Sequence, residues 1–138
     1  MAGAIDIVCN VWTHETVANG QTGLDDDFKE QVRMPEYMRG GLSIEDYLAK
    51  MDKAGIERSF LIAVRAGDIN KKGGFEIPYR QVYDICQAHP DRFSGLAGIE
   101  PYRGMQQLRD LEEAVNEFGF VGAHLYPHWC ELAPDHAK

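Results

Sequence analysis

Four short apolar runs punctuate the chain: Ile5 to Val11, Ser59 to Val64, Phe93 to Ile99 and Phe120 to Tyr126. Each has strand length and is rich in Ile, Val, Phe or Leu, which predicts four β-strands. Helical periodicity lies between them. Over Ser43 to Ala54, the residues Ile44, Tyr47, Leu48 and Met51 recur on one face. Ser43 and Asp46 form a capping pair, and Gly55 stands where a helix ends in the left-handed region. Pro78 to His89 carries Tyr79, Val82, Tyr83 and Cys86 on one face, and Pro90 stops it. Gln106 to Phe118 carries Leu108, Leu111, Val115 and Phe118, with Gly119 as its stop. The order β-α-β-α-β-α-β predicts an α/β fold with a parallel sheet. The joints Ala54-Gly55-Ile56-Glu57-Arg58 and Phe118-Gly119-Phe120-Val121-Gly122 resemble each other, as stacked βα units do.

One connection breaks the rhythm. About thirty residues, from Trp12 to Gly41, separate the first strand from the first helix. They include Asn19-Gly20, the acidic run Asp25-Asp26-Asp27, Met34-Pro35 and Gly40-Gly41. A connection of this length is a lid, a binding loop or a solvated insert, and length alone does not choose among them. At the other end, Pro134-Asp135 reads as a helix start just before Asp135-His136-Ala137-Lys138. The expectation is one domain over 1–138 that stops before its fourth helix.

Strand alternation assigns faces. If the more apolar set faces the helices, Ile5, Ile7, Cys9 and Val11 do so in the first strand, leaving Asp6, Val8 and Asn10 on the other face. In the second strand the helix-facing set is Phe60, Ile62 and Val64, leaving Ser59, Leu61, Ala63 and Arg65. The third strand is ambiguous, because neither face is clearly the more apolar; Ser94, Leu96, Gly98 and Glu100 are taken as inward. In the fourth, Val121, Ala123 and Leu125 face the helices and Gly122, His124 and Tyr126 face inward. Inward polar residues then gather at the C-terminal strand ends: Asn10, Arg65, Glu100, His124 and Tyr126. That is the face on which parallel barrels place their sites. Asp6, near a strand start, reads as structural.

Composition removes several classes. The 138 residues are 44% hydrophobic and 26% charged, an ordinary globular balance for one domain. A net charge of −8 argues against a nucleic-acid surface. No apolar run reaches membrane-spanning length, and Met1-Ala2-Gly3-Ala4-Ile5-Asp6 lacks a basic leader region. Cys9, Cys86 and Cys130 are odd in number and without CxxC spacing, which predicts free thiols in a cytoplasmic protein. Neither GxGxxG nor GxxxxGK[ST] occurs, so a doubly wound nucleotide-binding domain lacks its fingerprint.

Four segments carry a resemblance: Ala4-Ile5-Asp6-Ile7; Met51-Asp52-Lys53-Ala54-Gly55-Ile56-Glu57-Arg58; His89-Pro90-Asp91-Arg92-Phe93 leading into Gly95-Leu96-Ala97; and Gly119-Phe120-Val121-Gly122-Ala123-His124-Leu125-Tyr126-Pro127-His128. In their order and spacing they resemble the N-terminal half of the amidohydrolase-related (amidohydrolase 2) family of hydrolases and non-oxidative decarboxylases. The resemblance implies a (β/α)8 TIM-type barrel, of which about four βα units are present as a half barrel. It also implies a divalent metal, usually zinc, and a small carboxylate or ring substrate.

The chain departs from the family at one point. The family's first strand ends in Asp-x-His-x-His, whose histidines bind the metal; Val8 and Asn10 stand there instead. Valine cannot ligate, and an asparagine amide is a weak ligand for zinc. What remains is Asn10 with His124 as weak metal candidates, and His124 and His128 as catalytic candidates able to bind metal or carry protons. Arg65, Glu100, Tyr126 and Trp12 are the candidates for substrate contact, Arg65 as a bidentate carboxylate clamp. Two functions follow. One is an amidohydrolase-type hydrolase or decarboxylase, incomplete and inactive as this chain alone. The other is a non-catalytic half-barrel or metal-less relative serving as an assembly module. Either way, an open parallel sheet edge predicts self-association or a C-terminal barrel half as partner.

Overall fold

A computed structural model describes residues 3–67, 74–133 and 135. The chain runs β1 (Ala4–Asn10), α1 (His14–Ala18), α2 (Asp26–Gln31), α3 (Glu36–Arg39), α4 (Ile44–Ala54), β2 (Ile56–Ala63), β3 (Arg65–Ala66), β4 (Phe75–Glu76), α5 (Tyr79–Ala88), β5 (Phe93–Gly98), α6 (Met105–Asn116) and β6 (Gly122–His124). Short 3-10 turns cover Pro101–Arg103 and Pro127–Cys130. Four strands form one parallel sheet in the order β1-β2-β5-β6. All four predicted strands and all three predicted helices are present. Pro134, His136 and Lys138, on which the expected helix start and chain end fall, lie outside the described residues. No helix among the described residues is long and apolar enough to cross a membrane.

Local chemistry explains the helix ends. Ser43 and Asp46 close a reciprocal capping box at the start of α4, and Gly55 ends it with φ +70°. The connection from 12 to 42 is not irregular: it holds α1, α2 and α3. Thr13 and Asp25 cap the first two of these. Its two ends are tied together, since the Leu42 amide donates to the Trp12 carbonyl at 2.9 Å and Thr13 bridges Leu42 in parallel. Gly41 sits there at φ +91°, and any Cβ would strike the Thr13 backbone. Two strand pieces, β3 and β4, pair antiparallel across an insert after β2. Two residues carry no readable period, so the pattern of hydrophobics does not announce them.

The register fixes which residues share a face. Leu61 pairs with Gly95 and Cys9, and Ser59 with Phe93. Leu61 and Phe93 gather with Ile44, Tyr47 and Ile85 around one small void, so this face meets the helices. Phe120 lies against Gly95 on the same side. The other face holds Ile62, Leu96, Gly98, Gly122 and His124, with Asn10 beside Ile62. The assignments for β5 and β6 agree with this, and so does Asn10 in β1. The assignment for β2 is inverted: Leu61 and Ala63 face the helices, and Phe60 and Ile62 face inward. The reason is that β2 is a central strand with apolar residues on both faces, so alternation carries no phase there. A register shift between Asp6 and Cys9 breaks the alternation of β1 as well, and the Asp6 carboxylate accepts from the Val8 amide at 3.1 Å within it.

This inversion carries Arg65 with it. Its side chain lies on the helix side, stacked 4.2 Å from the Tyr79 ring, with Nη1 at 2.7 Å from Asp110 Oδ2 and 3.1 Å from Gln107 Oε1. Arg103 joins the same cluster, at 2.7 Å from Glu76 and 3.2 Å from Glu100. Two guanidinium groups thus tie β3 and β4 to α6. Burial alone would raise the Asp110 carboxyl, but hydrogen bonds from Gln106 and Arg65 and the two arginine charges hold it below the usual carboxylate range. Its stabilisation is complete above the unfolded value of about 3.9 and is lost as pH falls through the lower folded value. Asp110→Asn is therefore expected to lower the neutral-pH unfolding free energy by about 1.5–3 kcal/mol and to flatten its acid decline. Urea unfolding across an acid pH series measures both, and an unchanged acid limb would remove Asp110 from this role.

Candidate functional site

A cavity of about 400 Å³ opens at the C-terminal ends of the sheet strands. The end of β1 supplies Asn10, Val11 and Trp12; Val64 follows β2; Phe75 and Ile77 come from β4 and its exit; and Tyr126, His128 and Trp129 follow β6. The long connection covers it with residues 22–25 and Phe28. The size and the apolar, aromatic wall suit one small ring ligand.

The wall is held from behind. Trp12 is buried, and its indole N–H donates to the Met38 carbonyl at 2.6 Å. Tyr47 accepts from the Trp12 amide and donates to the Asn10 carbonyl at 2.9 Å, which locks the end of β1 onto α4. Trp129 meets Phe75 edge-on at 5.4 Å, and Tyr102 donates to the Cys130 carbonyl at 2.7 Å, pinning the turn that carries His128. Gly23 takes φ +64° with the Phe75 ring directly where a Cβ would stand.

Across the mouth, the Tyr126 hydroxyl donates to Asn10 Oδ1 at 3.2 Å. These residues belong to, or directly follow, the two edge strands, so this bond shows how far the sheet curls. Burial raises the Tyr126 hydroxyl above its ordinary pKa, with the Asn10 hydrogen bond opposing, so it remains a donor. His124 stands edge-on to the Tyr126 ring at 4.3 Å, and burial lowers its pKa, favouring neutral imidazole. His128 contacts Tyr126 at 5.8 Å and Trp129 at 5.7 Å.

The structure therefore brings together Asn10, Trp12, Tyr126 and His128 around the cavity, with His124 one ring behind. It does not bring Arg65 or Glu100 there. Arg65 is committed to Asp110 and Gln107 on the helix side, for the reason given above. Glu100 is fully buried, with Oε2 on Arg103 and its amide donating to Gln107, so it serves the same cluster. Residues that the pattern did not single out are Phe28, Phe75 and Trp129. Phe28 sits in the long connection, whose length was the one available signal.

The donor set does not suit a metal. Among the described residues no group of three or more His, Cys, Asp or Glu side chains could hold an ion. Val8 offers no donor, and the Asn10 oxygen is already engaged. Cys9 pairs with Leu61 on the helix side, and burial first, then Asp6, pushes its thiol up to about 12. Asp25 is spent on the amide of Phe28 as the cap of α2.

No protein-family profile matches the sequence, and no curated protein matches it. Solved structures do match. The chain is similar to 5-carboxyvanillate decarboxylase from Novosphingobium aromaticivorans, complexed with manganese and 4-hydroxy-3-methoxy-5-nitrobenzoic acid, at TM-score 0.62 and 20% identity over 91% of this chain and 42% of that one. It is similar to 2,6-dihydroxybenzoate decarboxylase from Rhizobium, at TM-score 0.57 and 28% identity over 89% of this chain and 38% of that one. It is similar to 4-oxalomesaconate hydratase from Rhodopseudomonas palustris, at TM-score 0.56 and 27% identity over 95% of this chain and 45% of that one. The chain spans less than half the length of each. These neighbours are TIM-barrel enzymes of the amidohydrolase-related family, so the family resemblance and the half-barrel fold both hold. The metal in the decarboxylase structure is manganese, where the resemblance pointed to zinc.

The thiols offer a check on this geometry. Burial pushes Cys86 up to about 11 and raises Cys130 as well. Reaction of the folded chain with Ellman's reagent at mildly alkaline pH is expected to be slow at all three cysteines and fast in urea. Rapid labelling of Cys9 in the folded chain would place it elsewhere than against the helices.

Proposed function

We propose that this chain forms the substrate-recognition part of an amidohydrolase-type barrel acting on a small aromatic carboxylate by non-oxidative decarboxylation. One observation carries the reading: an aromatic-lined cavity lies at the strand ends of a fold shared with enzymes of that chemistry. In such a reaction the bond from ring carbon to carboxylate breaks, carbon dioxide leaves, and a proton is delivered to that ring carbon. His128, an imidazole in the cavity wall, carries this proton in our reading. Trp12, Phe75 and Trp129 offer faces and edges to the ring. The Arg65 and Glu100 cluster supports the wall from behind. The three free cysteines support a cytoplasmic setting.

The test uses the full chain and 2,6-dihydroxybenzoate, followed by the fluorescence of Trp12 and Trp129. Saturable quenching with a Kd of about 1 mM, or about −4 kcal/mol, is expected, weakened by Trp129→Ala and without carbon dioxide release by this chain alone. Absence of quenching up to the solubility of the acid would sink the reading.

A second reading, an assembly module, is supported by the edges of the sheet. Ile5, Ile7 and Val8 of β1, and Val121 and Leu125 beside β6, are exposed, with Ile7 at 64% and Val121 at 59%. Such surface on unpaired strands predicts a partner, either a second copy or another barrel half. Light scattering is expected to give a mass above that of one chain. A single-chain mass at all concentrations would count against this partner.

A further inference from the structure

Among the described residues of this chain, the mouth lacks the donors that a divalent cation needs, and we propose that this difference defines how the chain recognises its ligand. The Asn10 amide, oriented by Tyr126, takes the carboxylate of a small aromatic acid directly, with no metal between them. This inference rests on the reading above that the cavity accepts such an acid.

Manganese and zinc sites are built from several carboxylate, imidazole or thiolate donors converging on one point. Here β1 brings Asn10, a neutral amide, to the mouth, and Val8 two residues earlier is exposed and carries no donor atom. The Asn10 oxygen already accepts from Tyr126 at 3.2 Å. Because Asn10 ends the first strand of the sheet and Tyr126 follows the last, that hydrogen bond spans the opening. A cation seated on Asn10 Oδ1 would share that oxygen with the Tyr126 hydroxyl, and among the described residues no group of His, Cys, Asp or Glu donors converges to complete its shell. The two histidines do not replace the lost donors. His124 and His128 each pack on the Tyr126 ring, and no ring contact joins them among the described residues.

The same hydrogen bond assigns the two ends of the amide. With Oδ1 turned to the Tyr126 hydroxyl, Nδ2 is the end left to donate, and no hydrogen bond engages it among the described residues. An amide offers two N–H donors there. A carboxylate is the complementary acceptor, and a donor to a charged group makes a stronger hydrogen bond than one to a neutral group. Trp12 and Phe75 then stand at the cavity wall for the ring. Tyr126 is in this view a positioning residue for Asn10.

Asn10→Asp separates the alternatives, because it keeps the shape and reverses the role. With direct recognition, the new carboxylate faces the ligand's carboxylate, and binding of 2,6-dihydroxybenzoate falls by about tenfold or more. Tyr126→Phe frees the amide to turn and weakens binding by a smaller factor, while circular dichroism and urea midpoint check that both variants stay folded. Manganese titrated alone, read as loss of the free-ion electron paramagnetic resonance signal, is expected to show no uptake by the wild type. Chelator is expected to leave carboxylate binding unchanged. The inference is overturned by micromolar manganese uptake, by binding that chelator abolishes, or by an Asn10→Asp chain that binds the acid more tightly when manganese is added. If the wild type takes neither manganese nor the acid, the proposed function fails and the carboxylate contact fails with it. Acid binding that appears only with manganese overturns the metal-free mouth alone and leaves the proposed function standing.

Discussion

The structure is organised around one constraint, that β2 is covered on both faces. Ile62 and Ala63 are fully buried on opposite sides of the same strand. Its neighbours β1 and β5 must therefore pair with it in a register that stacks apolar residues twice over. One stack faces Ile44, Tyr47 and Ile85 of the helices; the other, which includes Leu96 and Gly122 beside Ile62, lies inside the curled sheet. Once that register is set, the polar residue after each strand has no choice of side. Arg65 falls toward α6 and becomes a cross-link, whereas Asn10 and His124 fall toward the mouth. A guanidinium in an almost dry environment is tolerated only because Asp110, Gln107 and the Tyr79 ring meet it there.

What was legible in the sequence follows from this. The caps of α4 are local chemistry, and Ser43, Asp46 and Gly55 state them outright. The inward residues of β6 were legible because Gly122 and His124 contrast with their neighbours along the strand, whereas Ser94-Gly95-Leu96-Ala97-Gly98 of β5 gives alternation no phase and its inward set was a choice. β2 was not legible in phase, because Phe60, Leu61, Ile62, Ala63 and Val64 are apolar without alternation. The misplacement of Arg65 as a substrate clamp is the same error carried two residues further. Glu100 shows a different limit: a carboxylate after a strand end looks like a site, but its value depends on whether Arg103 and Gln107 reach it, which only the tertiary structure decides.

The long connection changes meaning once its ends are seen to be joined. A free segment of this length would spend conformational entropy to order itself over a ligand. Here Trp12, Thr13 and Leu42 clamp its base, Thr13 and Asp25 cap two of its helices, and Gly23 lies against Phe75. The covering residues are held by contacts within the chain, and such pre-organisation lowers the ordering cost of binding.

The hydrogen bond across the mouth and the exposed apolar residues of the strands occupy different parts of the same sheet. At the C-terminal end, its two edges are already bridged by a polar bond between Tyr126 and Asn10. On the strand faces below, the same edges carry exposed Ile7 and Val121 with no cover. A partner that completed the barrel would bury the second set by the hydrophobic effect, which is indifferent to detailed geometry. The first set depends on the orientation of one amide and one hydroxyl and needs no such completion. The bond across the mouth is therefore made within the chain by two directed polar groups, whereas Ile7 and Val121 below it are exposed apolar surface with no such directional demand.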